Sequence, residues 1–229
     1  MSNRVIKIRN VSKTYRIGRN IDIQALKDIN LDINAGDFVA LVGSSGSGKS
    51  TLLNLIGCLD KPDASGQIFL NNEDVLTKSK KELSLLRNKN IGFIFQSFNL
   101  LPVLDVYENI EFPFLINKNL YTKQERKNTI DTLIEQVGLG NYRKHKSNEL
   151  SGGQMQRVAI ARALALSPLV VLADEPTANL DSVTSRNILE LMRKLNEERN
   201  ITFIFATHDP LVMEFTKRII SLKDGKIQD

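Results

Sequence analysis

The strongest indication of the fold is the segment Gly43-Ser44-Ser45-Gly46-Ser47-Gly48-Lys49-Ser50. It fits the pattern G-x-x-x-x-G-K-[ST], in which a glycine-rich loop surrounds phosphate oxygens with backbone N–H groups. An apolar run of strand length, residues 38–42, precedes the loop, and apolar residues at helical spacing follow it as far as Leu59. Strand, loop and helix therefore occur in the order that a nucleotide-phosphate loop requires. The alternative is a glycine-rich strand-to-helix turn without a ligand.

The residue types of this loop suit a nucleotide. Gly46, Gly48 and Lys49 can direct backbone N–H groups at phosphate oxygens, because glycine permits unusual dihedral angles and close approach. The N-terminus of the following helix adds partial positive charge. We expect the Lys49 ammonium to reach the β- and γ-phosphates, and the Ser50 hydroxyl to bind Mg²⁺.

A second apolar run, residues 169–173, ends in an acidic pair, Asp174 and Glu175. The run has no polar residue, which is typical of a strand buried on both faces. We expect Asp174 to hold Mg²⁺, directly or through water, and Glu175 to polarise the attacking water. The alternative is a surface acidic pair at the end of a strand.

Two more runs of mainly apolar residues are followed by polar side chains. Residues 91–95 lead into Gln96, and residues 201–206 lead into Thr207 and His208. Because ligands of open parallel sheets bind beyond the carboxyl ends of the strands, we expect Gln96 and His208 to lie beside the phosphate loop. A neutral His208 imidazole could hydrogen-bond the γ-phosphate or the attacking water. A lone histidine is otherwise more often structural.

A second glycine-rich segment, Leu150-Ser151-Gly152-Gly153-Gln154, also begins a helix but has no lysine. Ser151 is a favourable N-cap residue, and Pro168 cannot continue a helix, so we expect a helix from Ser151 to about Ser167. Its N–H groups and the Ser151 hydroxyl can face an anion. The chain therefore has two phosphate-binding segments, and only the first has the lysine.

Together these segments resemble an ATP-binding cassette subunit, the ATPase part of an ABC transporter. The resemblance extends from about residue 5 to residue 227. It makes Tyr15 the aromatic residue that stacks on adenine, and residues 43–51 the Walker A loop. Gln96 corresponds to the Q-loop, residues 150–154 to the signature motif, and residues 179–181 to the D-loop.

Roles for individual residues follow from this resemblance. The implied catalytic residues are Lys49, Glu175 and His208. The implied Mg²⁺ ligands are Ser50, Gln96 and Asp174. The implied contacts to ATP are Tyr15, Gly43, Ser44, Ser45, Gly46, Ser47, Gly48, Lys49, Ser50, Thr51, Gln96, Ser151, Gly152, Gly153, Gln154 and Asp181.

The resemblance also implies two partners. Two copies of the chain would pack head to tail, so that the helix beginning at Ser151 closes over ATP held by the other copy. The second partner would be an integral membrane permease. An apolar loop, residues 96–102, is the candidate docking surface for a permease helix. The alternative for this loop is a small core cluster beneath the helical insert.

Three further segments narrow the resemblance to the MacB, LolD and FtsE branch of the family. They are Gly57-Cys58-Leu59-Asp60, residues 92–100 and residues 173–181. This branch implies an ATP-hydrolysing subunit that powers a permease extruding peptide, lipoprotein or drug from the membrane or periplasmic side. Two alternatives stay open, an FtsE-like signalling ATPase without transport and a nucleic-acid ATPase of the same family.

Composition restricts these alternatives. The chain has 229 residues, 41% of them hydrophobic, a net charge of +5 and one cysteine, Cys58. No apolar run approaches the ~20 residues that span a bilayer, and no signal-peptide pattern occurs. We expect a cytoplasmic protein held at the inner face of the cell membrane by its permease. No nucleic acid is expected, because residues 50–174 are too few for a long coiled coil and one cysteine cannot form a cysteine-based zinc site.

The predicted fold is α/β: a P-loop NTPase core with a parallel sheet, an antiparallel β subdomain and an α-helical insert, which is the ABC ATPase fold. Residues 1–229 form one domain, in which residues 1–96 and 158–229 are the nucleotide-binding core and residues 97–157 the helical subdomain. Alternating residues predict antiparallel strands over 5–11, 26–33 and 67–71.

Two helices can be predicted in more detail. A capping-box pattern opens a helix at Thr122 that closes near Gly138, with a buried stripe at Ile130, Leu133, Ile134 and Val137. A later core helix has its stripe at Ile188, Leu191, Met192 and Leu195. Both stripes are interpreted as core.

Overall fold

The structure is a computed structural model that describes residues 4–18, 21–63, 66–116 and 120–228. The ends of the predicted domain, residues 1–3 and 229, lie outside the described residues. The strands are β1 (Arg4–Ile17), β2 (Ile21–Asn34), β3 (Phe38–Val42), β4 (Gln67–Leu70), β5 (Glu73–Asp74), β6 (Ile91–Ile94), β7 (Val170–Asp174), β8 (Thr202–Thr207), β9 (Arg218–Lys223) and β10 (Lys226–Gln228). The helices are α1 (Lys49–Ile56), α2 (Lys80–Asn90), α3 (Val106–Ile116), α4 (Lys123–Gln136), α5 (Gly152–Leu164), α6 (Ser182–Arg199) and α7 (Pro210–Phe215).

Six strands form the central sheet, in the order β10-β9-β3-β8-β7-β6. Neighbouring strands from β9 to β6 are parallel, and β10 pairs with β9 in the antiparallel direction. Almost every residue of β3, β7 and β8 is buried, as the all-apolar runs predicted. The carboxyl ends of these strands lie at one edge of the sheet, where the glycine-rich loop follows β3.

A second, antiparallel sheet has the order β2-β1-β4-β5. The three predicted strands are confirmed, with Ile6 opposite both Ile33 and Leu70. Strands β1 and β2 are longer than predicted, because they continue as a hairpin in which the Arg16 Nε donates to Asp22 Oδ1 at 3.0 Å. Opposite charges at facing positions stabilise such a pair of strands, although their residues are exposed.

Strand alternation divides the core into two layers. One set of side chains, including Leu41, Leu172 and Ile204, packs towards α1 and the antiparallel sheet. The other set, including Phe203 and Phe205, packs towards the helices α3 to α6. Successive residues of a strand point to opposite faces, so each central strand contributes to both layers.

The helix predicted from Thr122 is confirmed as α4. The Thr122 side chain accepts a hydrogen bond from the Glu125 N–H, and the Thr122 N–H donates to Glu125 Oε2, which completes the predicted capping box. Ile130, Leu133 and Ile134 of the predicted stripe are buried. The helix ends at Gln136, and Gly138 has a φ of 72°, a left-handed conformation that favours glycine.

Two helix predictions need correction. Helix α5 begins after Ser151 as predicted but ends at Leu164 and not near Ser167. Ser167 has a φ of 50°, which a right-handed helix does not allow, so the chain turns before Pro168. In α6 the predicted Leu191 is only half-buried, and Leu189 is fully buried in addition to Ile188.

Helices α3 and α4 lie between β6 and β7 in the chain, within the predicted helical subdomain. Helix α5 passes through the predicted boundary at residues 157–158 without a break. The division into core and helical subdomain stays a prediction. In the described part of the chain, no helix combines the length and the apolar character that crossing a bilayer requires.

Candidate functional site

The glycine-rich loop needs glycine at two positions for close approach. A Cβ atom at Gly43 would lie 2.3 Å from the Leu222 carbonyl oxygen, and one at Gly48 would lie 2.7 Å from the Ala25 carbonyl oxygen. Gly48 also has a φ of 107° and precedes α1 without a side-chain cap. The first N–H groups of α1 are therefore left for a ligand.

A cavity of about 520 Å³ opens beyond this loop. It is lined by Ala25, Ser44, Ser45, Gly46, Gly48, Lys49, Ser50, Thr51, Gln96, Asp174, Glu175, Ala178 and His208. The loop and the ends of β6, β7 and β8 therefore meet around one space. Gln96, the acidic pair and His208 lie together, as expected from their positions after buried strands.

Lys49 extends back along the loop. Its side chain is largely buried, and Nζ donates to the carbonyl oxygens of Gly43 at 2.7 Å and Ser44 at 3.0 Å. These contacts hold the ammonium inside the curve of the loop. Phosphate oxygens can take the place of the two carbonyl oxygens, with charge attraction added.

Ser50 and Asp174 face each other across the cavity. The Ser50 hydroxyl donates to Asp174 Oδ1 at 3.3 Å. Burial raises the pKa of Asp174 above its usual value, and the nearby Glu175 acts in the same direction. The negative charge of the ionised Asp174 is therefore not fully compensated by the groups around it. A hydroxyl, a carboxylate and the Gln96 amide around one cavity are oxygen ligands that fit Mg²⁺.

Glu175 is held by two side chains at the carboxyl end of β8. The Thr207 hydroxyl donates to Glu175 Oε2 at 2.8 Å, and His208 Nδ1 lies 2.6 Å from Oε1. Glu175 itself has a φ of 45°, an unusual conformation for a residue with a side chain. Its side chain is 16% exposed, whereas that of His208 is 75% exposed. The carboxylate is therefore fixed in orientation at a strained position, as is common for reactive groups.

Tyr15 lies beside this cavity and not in its wall. Its hydroxyl donates to Asp60 Oδ2 at 2.9 Å, and it also interacts with Thr51, which lines the cavity. Ser47 is buried behind the loop, with its backbone carbonyl oxygen accepting from the Gly225 N–H. These predicted residues therefore adjoin the site from the side of the antiparallel sheet and the loop interior.

The signature segment lies on another surface. Ser151 caps α5, since its Oγ accepts from the Gln154 N–H at 3.3 Å and its N–H donates to Gln154 Oε1 at 2.8 Å. Added Cβ atoms would meet Leu180 from Gly152 and Thr184 from Gly153. The segment thus packs against the start of α6 in its own chain.

Asp181 belongs to the same surface as the signature segment. Its carboxylate accepts from the N–H groups of Val183 and Thr184 at 3.1 and 2.9 Å, and so caps α6. Neither Asp181 nor residues 151–154 line the phosphate cavity of the same chain. Of the two predicted phosphate-binding segments, only the glycine-rich loop therefore lines this cavity.

A protein-family model described as ABC transporter matches residues 26–178. The chain belongs to the ABC transporter family. This ABC chain is 47% identical to an uncharacterized ABC transporter ATP-binding protein of Methanocaldococcus jannaschii, over 98% of the chain and 95% of that protein. It is 43% identical to the lipoprotein-releasing system ATP-binding protein LolD 1 of Rhodopseudomonas palustris, over 97% of the chain and 98% of that protein.

Other relatives are longer. The macrolide export ATP-binding/permease protein MacB of Syntrophobacter fumaroxidans is 44% identical over 98% of the chain, which spans only 31% of the MacB protein. Solved structures agree with the fold. A dimeric ABC transporter cassette matches with a TM-score of 0.88 at 46% identity, over 98% of this chain and 97% of that one. The same cassette in a post-hydrolysis state with ADP and Pi matches with a TM-score of 0.87.

The predicted ABC ATPase fold is confirmed, and so is the prediction of an ATP-hydrolysing, ATP-binding ABC subunit. Sequence reasoning missed some contacts of this ABC site. Thr207 was named at the end of its strand but was given no role, although its position immediately before His208 could have indicated one. Asn179 was placed in the D-loop by the resemblance, but its hydrogen bond from Nδ2 to the Gln96 carbonyl oxygen, at 2.8 Å, was not predicted. Ala25 lines the cavity but has no side-chain chemistry that could have indicated it.

Proposed function

We propose that this ABC ATPase powers a permease of the MacB/LolD type, as a head-to-tail dimer at the cytoplasmic face of the membrane. The observation that carries the proposal is the separation of two surfaces in one chain. The cavity contains the loop lysine, the acidic pair, Gln96 and His208, while the signature segment lies outside it. A second copy would supply the missing signature segment.

Binding of ATP would use the loop and the start of α1. The β- and γ-phosphates would replace the carbonyl oxygens now bound by Lys49 Nζ, and the unpaired N–H groups of α1 would add donors. Thr51 and Ser50 follow directly in the first turn. This arrangement suits a triphosphate better than a neutral ligand, because the Lys49 ammonium and the N-terminus of α1 both bring positive charge to the loop.

Magnesium is the second proposed ligand. Ser50, Asp174 and Gln96 are the residues that would hold it, directly or through water. When bound, the ion would offset the negative charge of the β- and γ-phosphates. The raised pKa of Asp174 supports this, since a nearby cation would favour the ionised carboxylate that the site now destabilises.

Hydrolysis would use Glu175 to orient or deprotonate the attacking water. The Thr207 hydroxyl would keep one carboxylate oxygen occupied, so that the other faces His208 and the cavity. The imidazole of His208 would hydrogen-bond the γ-phosphate or the same water, once it releases Glu175. The exposed position of His208 leaves it free to make that change.

The permease would dock in a groove of about 380 Å³ on the side of β6. Its apolar lining includes Phe93, Phe95, Phe112 and Ile116, and the last two side chains are 41% and 53% exposed. Exposed apolar groups of this size favour a protein partner. The predicted loop 96–102 borders this groove, with Leu101 held by hydrogen bonds between its backbone and the Asn109 side chain.

A pull-down experiment tests the permease partner. Phe112→Glu should remove the membrane protein that co-purifies with the tagged wild-type chain, because a carboxylate would be desolvated in the interface, while basal ATP hydrolysis is retained. Ile219→Glu is the matched control, since Ile219 is 50% exposed but lies on β9, away from the groove. Co-purification that survives Phe112→Glu would contradict docking in this groove.

A further inference from the structure

Tyr15 is anchored by its hydroxyl to a carboxylate of another element. The Tyr15 hydroxyl donates to Asp60 Oδ2 at 2.9 Å, and Lys13 Nζ donates to Asp60 Oδ1 at 2.8 Å. The Lys61 N–H donates to the same Oδ1 at 2.7 Å. Both oxygens of Asp60 are therefore engaged. Burial opposes ionisation, but these three hydrogen bonds lower the pKa of Asp60, so the anchor is a carboxylate.

Lys13 fixes the ring from one side. Lys13 and Tyr15 are two residues apart on β1, so their side chains lie on the same face of the sheet. The Lys13 Nζ lies 4.9 Å from the centroid of the Tyr15 ring, within the range of a cation–π contact. Only the opposite face of the ring is then available to a stacking base. Asp60 holds both the ring and the cation that covers it.

Asp60 also connects Tyr15 to the helix of the phosphate loop. The N–H groups of Leu59 and Asp60 donate to the Asn54 carbonyl oxygen, at 2.9 and 3.4 Å, so Asp60 folds back onto the last turn of α1. The same helix begins at Lys49 and carries Thr51 into the cavity. A carboxylate attached to α1 therefore determines where a ring on the antiparallel sheet lies relative to the phosphates.

We infer that Asp60 is a positioning residue that fixes the Tyr15 ring for stacking on the nucleotide base, and so sets affinity for adenosine and not for phosphate. The inference rests on the proposed ATP site. Ordering a free aromatic side chain on binding costs conformational entropy, and a ring already held by its hydroxyl avoids that cost. Loss of the anchor should therefore weaken nucleotide binding by about three- to tenfold.

The test compares a nucleotide with its phosphate part. ADP and inorganic pyrophosphate are titrated against wild type and Asp60→Ala, with displacement of a fluorescent ATP analogue as the readout. Asp63→Ala is the matched control, because Asp63 also binds β1, through the Thr14 N–H and hydroxyl at 3.1 and 2.9 Å, without contacting Tyr15. The titrations of both aspartate variants are repeated in a Tyr15→Ala background, which lacks the ring.

We expect Asp60→Ala to weaken ADP binding, leave pyrophosphate binding unchanged and have no effect when Tyr15 is alanine. Asp63→Ala should change neither ligand. Equal loss of ADP and pyrophosphate, or a loss that persists in the Tyr15→Ala background, would overturn the positioning role while leaving the ATP site intact. Wild-type protein that binds neither ADP nor pyrophosphate would overturn the proposed site, and this inference with it.

Discussion

Glu175 owes its proposed role to its immediate neighbours. Its carboxylate is placed at a strained backbone position and oriented by Thr207, with His208 Nδ1 at 2.6 Å. The chemistry of the site depends on these contacts and not on the acidic residue alone. Neither contact was predicted, because a sequence shows which residues end the strands but not which oxygen each of them binds.

Glu175→Gln tests this role. The amide keeps a hydrogen bond from Thr207 but cannot accept a proton, so hydrolysis should fall by about 10²–10⁴-fold while ATP binding is retained. Phosphate release measures the first effect, and size-exclusion chromatography with ATP should show the variant accumulating as a dimer. Hydrolysis at the wild-type rate would remove Glu175 from the mechanism.

The raised pKa of Asp174 predicts how the stability of the protein depends on pH. Because burial raises its pKa, the folded state binds this proton more tightly than the unfolded chain, and the ionised carboxylate destabilises the protein as pH rises through the folded-state pKa. Asp174→Asn should therefore raise the Tm at neutral pH by about 1–3 °C without nucleotide. The same variant should lose magnesium-dependent hydrolysis.

Asp32→Asn is the control, because the pKa of Asp32 is shifted in the opposite direction to that of Asp174. The hydrogen bond from Arg9 lowers the pKa of Asp32, so its contribution to stability is present at neutral pH and lost as pH falls through its folded-state pKa. Its replacement should lower the Tm at neutral pH and leave the Tm nearly unchanged in acid. Thermal melts of both variants from pH 8 down to well below the usual aspartate pKa of about 3.9 measure the difference, and equal shifts for the two variants would contradict this explanation of Asp174.

At the scale of elements, the signature helix depends on a close contact with its neighbour. A Cβ at Gly153 would lie 2.6 Å from Thr184 Cγ2, whereas one at Gly152 would lie 3.3 Å from the end of the flexible Leu180 side chain. Two adjacent glycines therefore differ in the packing space beside them. The contact joins α5 to the first turn of α6.

Gly153→Ala should destabilise the protein by about 1–3 kcal/mol, because α5 and α6 must separate slightly to accept the methyl group. Gly152→Ala should change stability by less than about 1 kcal/mol, since the Leu180 side chain can move. Urea denaturation of the two variants measures this difference. A larger loss for Gly152→Ala would mean that the packing of α5 on α6 is not as described.

Some helices and strands could be predicted from the sequence and others could not. The loop before α1, the buried strands and the capping box of α4 were predictable, because each depends on residues close together in the chain. The early end of α5 was not, since the sequence gives no sign that Ser167 adopts a left-handed conformation. Helix α2 was missed although Ser79 and Glu82 form a capping box that the sequence displays.

At the level of the whole molecule, the proposed ATPase needs two chains to complete one catalytic site. The signature segment does not line the cavity beyond the glycine-rich loop, and the dimeric cassette that the chain resembles has the same fold at 46% identity. Exposed Val183, which is 70% exposed at the start of α6 beside the signature segment, is available for such an interface. Composition and motif order could predict two phosphate-binding segments, but only the three-dimensional arrangement separates them.

Two inactive variants together test this claim. Lys49→Ala removes the cation of the phosphate loop, and Ser151→Arg places a bulky cation where the signature serine should meet the partner's nucleotide. Each variant alone should hydrolyse little ATP. Ser151→Arg should still bind ADP, because its own phosphate loop is unchanged.

The deciding measurement is the ATPase rate of an equimolar mixture of Lys49→Ala and Ser151→Arg chains. In a head-to-tail heterodimer one site combines both defects and the other has neither, so the mixture should regain about a quarter of the wild-type rate if pairing is random. A mixture no more active than the average of the separate variants would contradict the two-chain site.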